Sequence, residues 1–476
     1  MSDTVQAQTI RPVSEILFLP LTNHRRTSCY VPPILLRTIA QMKEKLIEKK
    51  YLVTFILVTT LFALWGFAND ITNPMVAAFQ TLMDLSAAKA SMVQFAFYGG
   101  YATMAIPAAL FIRRYSYKSG ILLGLALYAV GAFLFIPAAA QQNFTFFCLS
   151  LYILTFGLAF LETTANPFIL SLGSKQTGTR RLNMAQAFNP MGSLCGMAIA
   201  SLIVLPQLWS DRRDAAGQIV FSTLSEAEKA NIRVHDLAVI RNPYVIIGLV
   251  VTLMFVIIAL TKMPRTQSEE QKAQGHTHTT RQTLRNLWHN TTYREGVIAQ
   301  VFYVAAQIMV WTFIIHYADY LGINKATAQT YNIVAMSLFL CSRFVSTLLM
   351  KYFDGRLLLT LFGCGAALCT LGAILIVGMA GLYCLVGVSI FMSLMFPTIY
   401  GIALEDVDPR DSTLGAAFLV MAIVGGALMP PLQGMIIDLQ TVFGHPAVNA
   451  SFMLPLVCFI IIIIYGYRTN RAHTAR

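Results

Sequence analysis

The chain has 476 residues, of which 56% are hydrophobic and 12% charged, and its mean hydropathy is +0.63. A soluble globular domain carries about 25% charged residues, so this composition excludes an ordinary soluble protein. The net charge of +12 does not indicate a nucleic-acid-binding protein, because most basic residues lie in the tails and in alternate short loops. We therefore predict a polytopic membrane protein that contacts the lipid bilayer and binds no nucleic acid.

The first fifty residues contain no uninterrupted apolar region beside a small-residue cleavage site, so no cleaved signal peptide is predicted. We interpret residues 1–50 as a cytoplasmic tail. Within this tail, Met42 begins a short basic segment that leads directly into the first apolar run. One hypothesis is that translation starts at Met42, and finding residues 1–41 intact by N-terminal sequencing of the expressed protein would refute it.

Long apolar runs recur from Tyr51 to Tyr467. A run of about twenty residues crosses a hydrocarbon core of about 30 Å as an α-helix. Lipid offers no partners for backbone groups, and the strands of a membrane barrel would be about ten residues long with alternating polarity. The sequence therefore predicts an all-α membrane protein with twelve transmembrane helices. The predicted spans lie near residues 52–80, 91–112, 119–139, 144–172, 184–208, 244–263, 296–321, 327–350, 357–378, 381–404, 412–438 and 449–467.

The charged stretch at residues 264–295 separates six predicted spans from the other six. Both halves carry a basic turn after their second span, RRYSYKSG from Arg113 and KYFDGR from Lys351. Parallel repeats around a central pathway are common in secondary transporters. We predict two pseudo-symmetric six-helix bundles, at 51–263 and 296–467, joined by a cytoplasmic linker at 264–295.

The distribution of basic residues predicts the orientation of these bundles. If the N-terminus is cytoplasmic, 26 of the 34 lysines and arginines lie in cytoplasmic segments. Five others lie in the predicted outer loop at 209–242, where acidic residues accompany them. The positive-inside rule therefore places both termini, including a tail at 468–476, in the cytoplasm.

Span one contains a polar cluster, Asn69, Asp70 and Asn73, within an otherwise apolar segment. A charged side chain at bilayer depth costs roughly 2.5 to 3.5 kcal/mol on insertion scales, so an acid there usually marks an ion or proton path. Asp70 and Asn73 are three residues apart and therefore share a helix face. The cluster indicates a functional site.

Spans four and five carry two further polar clusters. Glu162 and Asn166 are four residues apart on span four, and Gln186 and Asn189 are three apart on span five, so each pair shares a helix face. The two spans form an antiparallel hairpin about the loop near Gln176. Counting outward from this loop, we expect Asn166 to lie level with Asn189 and Glu162 one turn deeper. These clusters are predicted to line one cavity.

A simpler interpretation of the amides stays open. Asn and Gln in membrane helices often only hydrogen-bond neighbouring helices. The two acids, Asp70 and Glu162, favour a functional interpretation more strongly, because burial disfavours the charged form of a carboxyl group. We predict that both bind and release protons.

In the second half, Gln300, Tyr303 and Gln307 lie at helical spacing with Trp311 beyond them. Such a face suits a sugar, because aromatic rings stack on its apolar side and amides meet its hydroxyl groups. Packing between helices is an equally open interpretation. Arg343, near the end of span eight, is expected to snorkel or to pair structurally.

Signals for an enzyme, a metal or a cofactor are weak. The eight cysteines form no CxxC pair, and His276 and His278 lack Cys or acid partners at metal-ligand spacing. The sequence contains neither a phosphate-binding loop nor a recognisable Ser, His and Asp arrangement. We predict a protein that is not an enzyme and that holds no metal and no organic cofactor.

Several segments carry a resemblance to a known family: FALWGFAND, QFAFYGGY, LETTANPF, RLNMAQAFN and AQVFYVAAQ. They resemble the fucose-to-proton symporter group of the major facilitator superfamily, and the similarity covers nearly everything from about residue 51 to 467. The resemblance implies the major facilitator fold, with two bundles rocking around a central sugar site in a bacterial inner membrane. It also implies that Glu162 takes part in proton coupling and sugar recognition, and that Asn166, Gln186 and Asn189 line the cavity.

The chain departs from the family pattern in span one. Fucose symporters carry an Asn where this chain has Asp70, and their proton-carrying Asp falls where this chain has Asn73. The two positions share a helix face and lie about 4.5 Å apart along the axis. Our hypothesis is that Asp70 is the displaced proton carrier. Met395 and Phe396 also replace a Gln and a Tyr of the pattern, so the sugar is predicted less firmly than the family.

The leading functional hypothesis is import of L-fucose or a related neutral hexose by proton symport with alternating access, in a protein that functions as a monomer. An exporter of amphipathic compounds on the same fold is the main alternative, and a membrane-embedded enzyme or sensor is a further one. Asp70 and Glu162 are predicted to couple protons. The predicted sugar-binding residues are Asn69, Asn73, Glu162, Asn166, Gln186, Asn189, Tyr303 and Gln307.

Overall fold

The computed structural model describes residues 45–83, 85, 92–210, 212, 220–265, 278–323, 325–439, 441–442 and 444–474, with the backbone alone at 72–81, 94–95, 201, 222, 325–326 and 442. The hypothesis about Met42 and residues 1–41 lies outside these residues, as does His276. The side chain of Asn73 is also outside the described part of the chain.

The described chain folds into α-helices, apart from a π-helical segment at Ala200–Val204, short 3-10 helices, turns and one two-residue antiparallel ladder that pairs Thr441 with Pro446. The predicted all-α class is confirmed. The helices are α1 Leu52–Leu82, α2 Met92–Arg114, α3 Tyr117–Phe133, α4 Phe135–Ala140, α5 Phe144–Ser171, α6 Gly178–Gln186, α7 Phe188–Ile199, α8 Glu226–Leu260, α9 Thr280–His289, α10 Thr291–Tyr320, α11 Lys325–Leu349, α12 Gly355–Leu375, α13 Met379–Met392, α14 Met395–Glu405, α15 Ser412–Met421, α16 Gly425–Ile437, α17 Ala447–Ser451 and α18 Met453–Thr474.

The helical stretches correspond to the predicted spans. Eleven stretches within the described residues are long and apolar enough to cross a membrane. The remaining predicted span coincides with α2, whose 23 residues extend about 34 Å at 1.5 Å per residue. Several spans consist of two helices in sequence, for example α6 and α7 with a break at Ala187, and α13 and α14 with a break at Ser393 and Leu394.

The outer loop predicted at 209–242 is wrong in its second part, because α8 begins at Glu226. Its first turns are polar, so hydropathy alone does not reveal them. A capping box stabilises this start, in which the backbone N–H of Ser225 donates to Glu228 at 3.1 Å. The polar extension also contributes the buried Asp236, which accepts backbone hydrogen bonds from Trp209 and Ser210 at 3.0 and 2.8 Å.

Helices α1 and α7 approach each other backbone to backbone. A Cβ atom at Gly66 would lie 2.0 Å from the carbonyl oxygen of Asn189, and one at Gly192 would lie 1.8 Å from that of Ala63. Only glycine permits this approach, as is common where membrane helices pack closely. The contact places the polar residues of α1 beside those of α6 and α7.

One end of the molecule, which we call the linker end, carries the turns near Arg113 and Lys351 together with the linker helix α9. The first six predicted spans contact the last six at this end. Three hydrogen bonds cross between them here: Arg180 Nε to the Thr347 carbonyl at 3.3 Å, Asn183 Nδ2 to Thr398 Oγ1 at 3.1 Å, and Tyr117 Oη with Thr413 Oγ1 at 3.1 Å. The two halves of the protein are therefore closed against each other at the linker end.

Candidate functional site: a polar cavity between the two halves

A cavity of about 130 Å³ lies between the two halves of the chain. Its wall combines amides, carboxyls and one guanidinium with several aromatic rings. The polar residues on the wall are Asn69, Asp70, Glu162, Gln186, Asn189, Ser193, Gln307 and Arg343. The aromatic residues on it are Phe62, Trp65, Phe97, Tyr98, Tyr101, Trp311, Phe339 and Phe396.

Glu162 projects from α5 onto this wall, and its side chain is only 3% exposed. Among the described residues, no group donates a hydrogen bond or forms an ion pair with its carboxyl. A buried carboxylate without a partner is costly, whereas the neutral acid is tolerated. Burial without a partner therefore makes the ionised form of Glu162 costly at this position.

Asp70 projects from α1 onto the same wall and is 7% exposed. Its neighbour Asn69 also lines the cavity, as does Tyr98 on α2. The cavity therefore contains two carboxyl groups, one contributed by α1 and the other by α5.

The amides of α6 and α7 occupy different surroundings. Gln186 lines the cavity and donates from Nε2 to Oδ1 of Asn166 at 2.9 Å. Asn166 is fully buried behind this wall. Asn189 also lines the cavity, and its Nδ2 donates to the carbonyl of Phe62 at 3.2 Å.

The predicted register of the hairpin is therefore wrong by one turn. Asn166 is level with Gln186 rather than with Asn189, because Asn166 and Gln186 are equally distant in sequence from Gln176 at the centre of the loop. Both clusters, including Asn166, were predicted to line one cavity. Glu162, Gln186 and Asn189 do line it, whereas the prediction is wrong for Asn166, which lies behind the wall.

The predicted stripe on α10 is divided between the cavity and the protein interior. Gln307 and Trp311 line the cavity. Tyr303 is fully buried away from it, and its hydroxyl donates to the Met392 carbonyl at 3.2 Å. Gln300 is also fully buried, and neither amide atom has a hydrogen-bond partner within the described structure.

Arg343 on α11 lines the cavity, although its sequence position predicted a structural role. It is 3% exposed, so the expectation that it snorkels is wrong, whereas the expected structural pairing is present. Its Nε donates to the Ser393 carbonyl at 2.5 Å, its Nη1 donates to the Gln186 carbonyl at 3.1 Å, and its guanidinium lies 4.5 Å from the ring centre of Phe339. A basic residue inside an apolar span was the signal that could have marked it.

Both carbonyls that Arg343 binds lie at interruptions of helices. Gln186 ends α6, and Ser393 lies between α13 and α14. Carbonyls at the end of a helix lack their intrahelical donors, so they are free to accept from a side chain. Because Gln186 and Arg343 belong to different halves of the chain, this guanidinium joins the two halves at the cavity itself.

The chemistry of the site suits a neutral, hydroxyl-rich compound and protons. Amides and the guanidinium hydrogen-bond hydroxyl groups, and aromatic rings stack on the apolar face of a sugar ring. Among the described residues, no group of three His, Cys, Asp or Glu side chains is placed to hold a metal ion.

Comparison with known proteins gives the family. Residues 56–430 match the model of the Major Facilitator Superfamily, and the chain belongs to this superfamily. The chain is similar to the L-fucose-proton symporter of Haemophilus influenzae, with 62% identity over 427 residues that cover 90% of this chain and 99% of the relative. It is also similar to the L-fucose-proton symporter of Escherichia coli, with 34% identity and coverage of 89% and 95%.

A solved structure supports the same fold. The crystal structure of the Major Facilitator Superfamily transporter FucP in the outward conformation matches this chain with a TM-score of 0.79 and 32% identity, covering 88% of this chain and 99% of FucP. The predicted membership of this superfamily is confirmed, and the protein is a multi-pass membrane transporter.

Proposed function

We propose that this protein imports L-fucose or a closely related neutral hexose together with protons. The observation that carries the proposal is the buried carboxyl of Glu162, which lacks a partner among the described residues and faces a cavity lined by amides and aromatic rings. Two relatives named as L-fucose-proton symporters, one of them 62% identical, support the choice of sugar and coupling ion. No catalytic role is proposed, because the relatives are transporters.

The residues divide into three proposed roles. Asp70 and Glu162 bind the coupling protons. Direct contacts to the sugar come from cavity residues, namely Asn69, Glu162, Gln186, Asn189 and Gln307. Asn166 and Tyr303 lie behind the wall and support it, and Asn166 orients Gln186 through their hydrogen bond. Asn73 is assigned to the same helix face as Asp70 from sequence spacing alone.

Transport by alternating access requires the two bundles, at 51–263 and 296–467, to rock about this cavity. Sugar and protons favour reorientation only if they bind differently to the two states. We assign the linker end to the cytoplasm, so that both termini are cytoplasmic, and we place the monomeric protein in a bacterial inner membrane in contact with lipid. The described conformation is then closed toward the cytoplasm.

Uptake of radiolabelled L-fucose in a host that lacks its own fucose transporter tests the proposal. We expect accumulation above the external concentration, and we expect an uncoupler to abolish that accumulation. A protein that lowers the cellular content of amphipathic compounds without accumulating sugar would instead be an exporter, and this result would refute the proposed import.

A further inference from the structure

The linker helix α9 has one face that is anchored to the protein. Thr283 and Leu287 are buried on this face. The hydroxyl of Thr283 donates to Asp411 at 2.6 Å, and Nδ2 of Asn286 donates to the same carboxylate at 2.9 Å. Asp411 is itself 1% exposed, so these bonds fix the rotation of α9 about its own axis.

The opposite face of α9 is uncovered and has an unusual composition. The outer side of the helix carries Arg281, Leu284, Arg285 and Trp288. Each of them lies three residues from one member of this group and four from another, so they share one side of the helix. All four are exposed, with Leu284 at 43% and Trp288 at 68%. The ten residues of α9 include no acid, so the face combines large apolar groups with positive charge only. We call it the outer face of α9.

The outer face of α9 continues into the lipid-facing surface of α10. Only Asn290 separates the two helices. The guanidinium of Arg294 on α10 lies 5.9 Å from the ring centre of Trp288, and its Nη1 donates to the Trp288 carbonyl at 3.4 Å. Ile298, one turn further along the same side of α10, is 48% exposed. Because α10 begins at Thr291 and is long and apolar enough to span the membrane, we expect Trp288 to lie near the bilayer surface.

We propose that the outer face of α9 is a membrane-surface site that binds the phosphate groups of anionic phospholipids. Tryptophan favours the boundary between water and hydrocarbon, because its ring is apolar and its N–H is polar. Arginine recognises phosphate through paired N–H donors. Anionic lipid attracts basic segments beside a membrane span, and the arginines at 281, 285 and 294 present three such charges beside one exposed indole ring.

Fluorescence quenching by lipid tests this site in the full-length protein. The protein is reconstituted in phosphatidylcholine vesicles, with or without phosphatidylglycerol, whose acyl chains are brominated close to the headgroup. The emission of Trp288 is isolated as the difference between the native protein and Trp288→Phe, which removes one of the four tryptophans. We expect bromolipid to quench this difference signal, and phosphatidylglycerol to increase the quenching.

Two matched double variants identify the charge effect. Arg281→Gln with Arg285→Gln should lose the part of the quenching that depends on phosphatidylglycerol, whereas Arg281→Lys with Arg285→Lys should keep most of it. Quenching of Trp288 by aqueous iodide but not by bromolipid would overturn the proposal and would indicate that this face meets water or a soluble partner. Equal quenching with and without phosphatidylglycerol would also overturn it. All three substituted residues, Arg281, Arg285 and Trp288, are exposed, and retained sugar uptake would verify the fold of each variant.

Discussion

Among single residues, Glu162 has the most specific expected behaviour. Replacing it by Gln preserves its size and hydrogen-bonding capacity but removes the proton that the carboxyl carries. We expect Glu162→Gln to lose concentrative uptake of L-fucose and to keep exchange of labelled for unlabelled sugar, since exchange needs no net proton movement. Uptake against a gradient and exchange are measured separately.

A matched control for this variant is Glu295→Gln. Glu295 pairs with Arg468 at 3.1 Å, away from the cavity, so this change should leave accumulation nearly intact. Undiminished accumulation by a well-expressed Glu162→Gln protein would contradict the coupling role of Glu162.

Variants of Asp70 test the hypothesis that this residue carries the proton in place of an acid at position 73. Asp70→Asn alone should abolish concentrative uptake, because α1 then offers amides only at this face. Adding Asn73→Asp moves the acid about 4.5 Å along the helix axis on the same face, so transport should recover at least partly. Membrane abundance, uptake and sugar-induced proton influx are measured for both variants. If Asp70→Asn still accumulates sugar and still alkalinises the medium, Asp70 is not the carrier.

A variant of Arg343 tests whether its hydrogen bond to the Gln186 carbonyl, beside the cavity, holds the two halves together. A hydrogen bond from a charged group contributes about 1.5 to 3 kcal/mol, so Arg343→Gln should shift the equilibrium away from closure at the linker end by roughly ten- to hundredfold. The measurement is the rate of maleimide labelling of a cysteine introduced at position 179, in a protein that lacks the native exposed cysteines. Thr179 packs against Gly401 of the other half, so this position becomes accessible when the linker end opens. Labelling should accelerate in Arg343→Gln and stay slow in Lys351→Gln, and equal rates would contradict the role.

Among the structural elements, α9 is expected to stabilise closure at the linker end. Asp411 on the turn before α15 accepts hydrogen bonds from Thr283 and Asn286, and Arg113 on α2 donates to the backbone of His278 just before α9. The segment from His278 through α9 therefore bridges both halves of the chain at this end.

Removing the two side-chain donors of α9 tests this bridge. Thr283→Val with Asn286→Leu should lower the population of the state that is closed at the linker end, and the apparent affinity for external sugar should fall in proportion. The exposed Gln282 on the same helix supplies the control Gln282→Ala, which should not change the apparent affinity. An unchanged apparent affinity in the double variant would show that α9 does not stabilise closure.

An assay near neutral pH leaves intact the ion pair between Asp408 and Arg410, which lies in the turn that contains Asp411. Arg410 donates hydrogen bonds to Asp408 and thereby lowers the pKa of that carboxyl to about 2. Because the pKa in the folded state lies below the ordinary value of 3.8, the stabilisation from this pair is present above about pH 4 and is lost only as the pH falls toward 2. Assays near neutral pH therefore leave the pair charged.

The helices could be predicted from sequence because a membrane span must be both apolar and long. The positions of individual side chains were less predictable. The side of α10 that faces the cavity carries Val304, Gln307, Ile308 and Trp311. Val304 and Ile308 are apolar, so polarity does not reveal them as cavity residues. Polarity also suggested Gln300 and Tyr303, which are buried away from the cavity. In membrane helices an apolar side chain faces lipid, protein or cavity equally well, and the rotation of such a helix follows from its neighbours.

Arg343 and α8 illustrate the same limit. The partners of Arg343 are backbone carbonyls that lie four residues before Pro190 and Pro397, which have no N–H to donate to them. The sequence marks these carbonyls as free but does not show which side chain reaches them. The polar start of α8 at Glu226 is stabilised by its cap and by the buried Asp236. These polar residues lower the local hydropathy, so a search for apolar runs misses this part of the helix. By contrast, Glu162 and Asp70 were found from sequence because an acid in a membrane span has few structural uses.

In the whole molecule, closure at the linker end and the binding of sugar and protons in the cavity are proposed to form one coupled cycle. The two halves meet at the linker end and enclose a cavity that contains both carboxyls and the amides proposed to bind sugar. Protonation and sugar binding are expected to act together, because a site with two ionised buried acids would be costly to enclose. Sugar without protons should therefore reorient the protein poorly.

The most direct test measures proton and sugar movement together in liposomes that contain only the purified protein. L-fucose added to weakly buffered vesicles should alkalinise the external medium, and an imposed inward proton gradient should drive sugar accumulation that collapses when the gradient is dissipated. Both effects should be absent in Glu162→Gln liposomes with equal protein content. Sugar movement that causes no external pH change and does not respond to an imposed proton gradient would contradict proton symport.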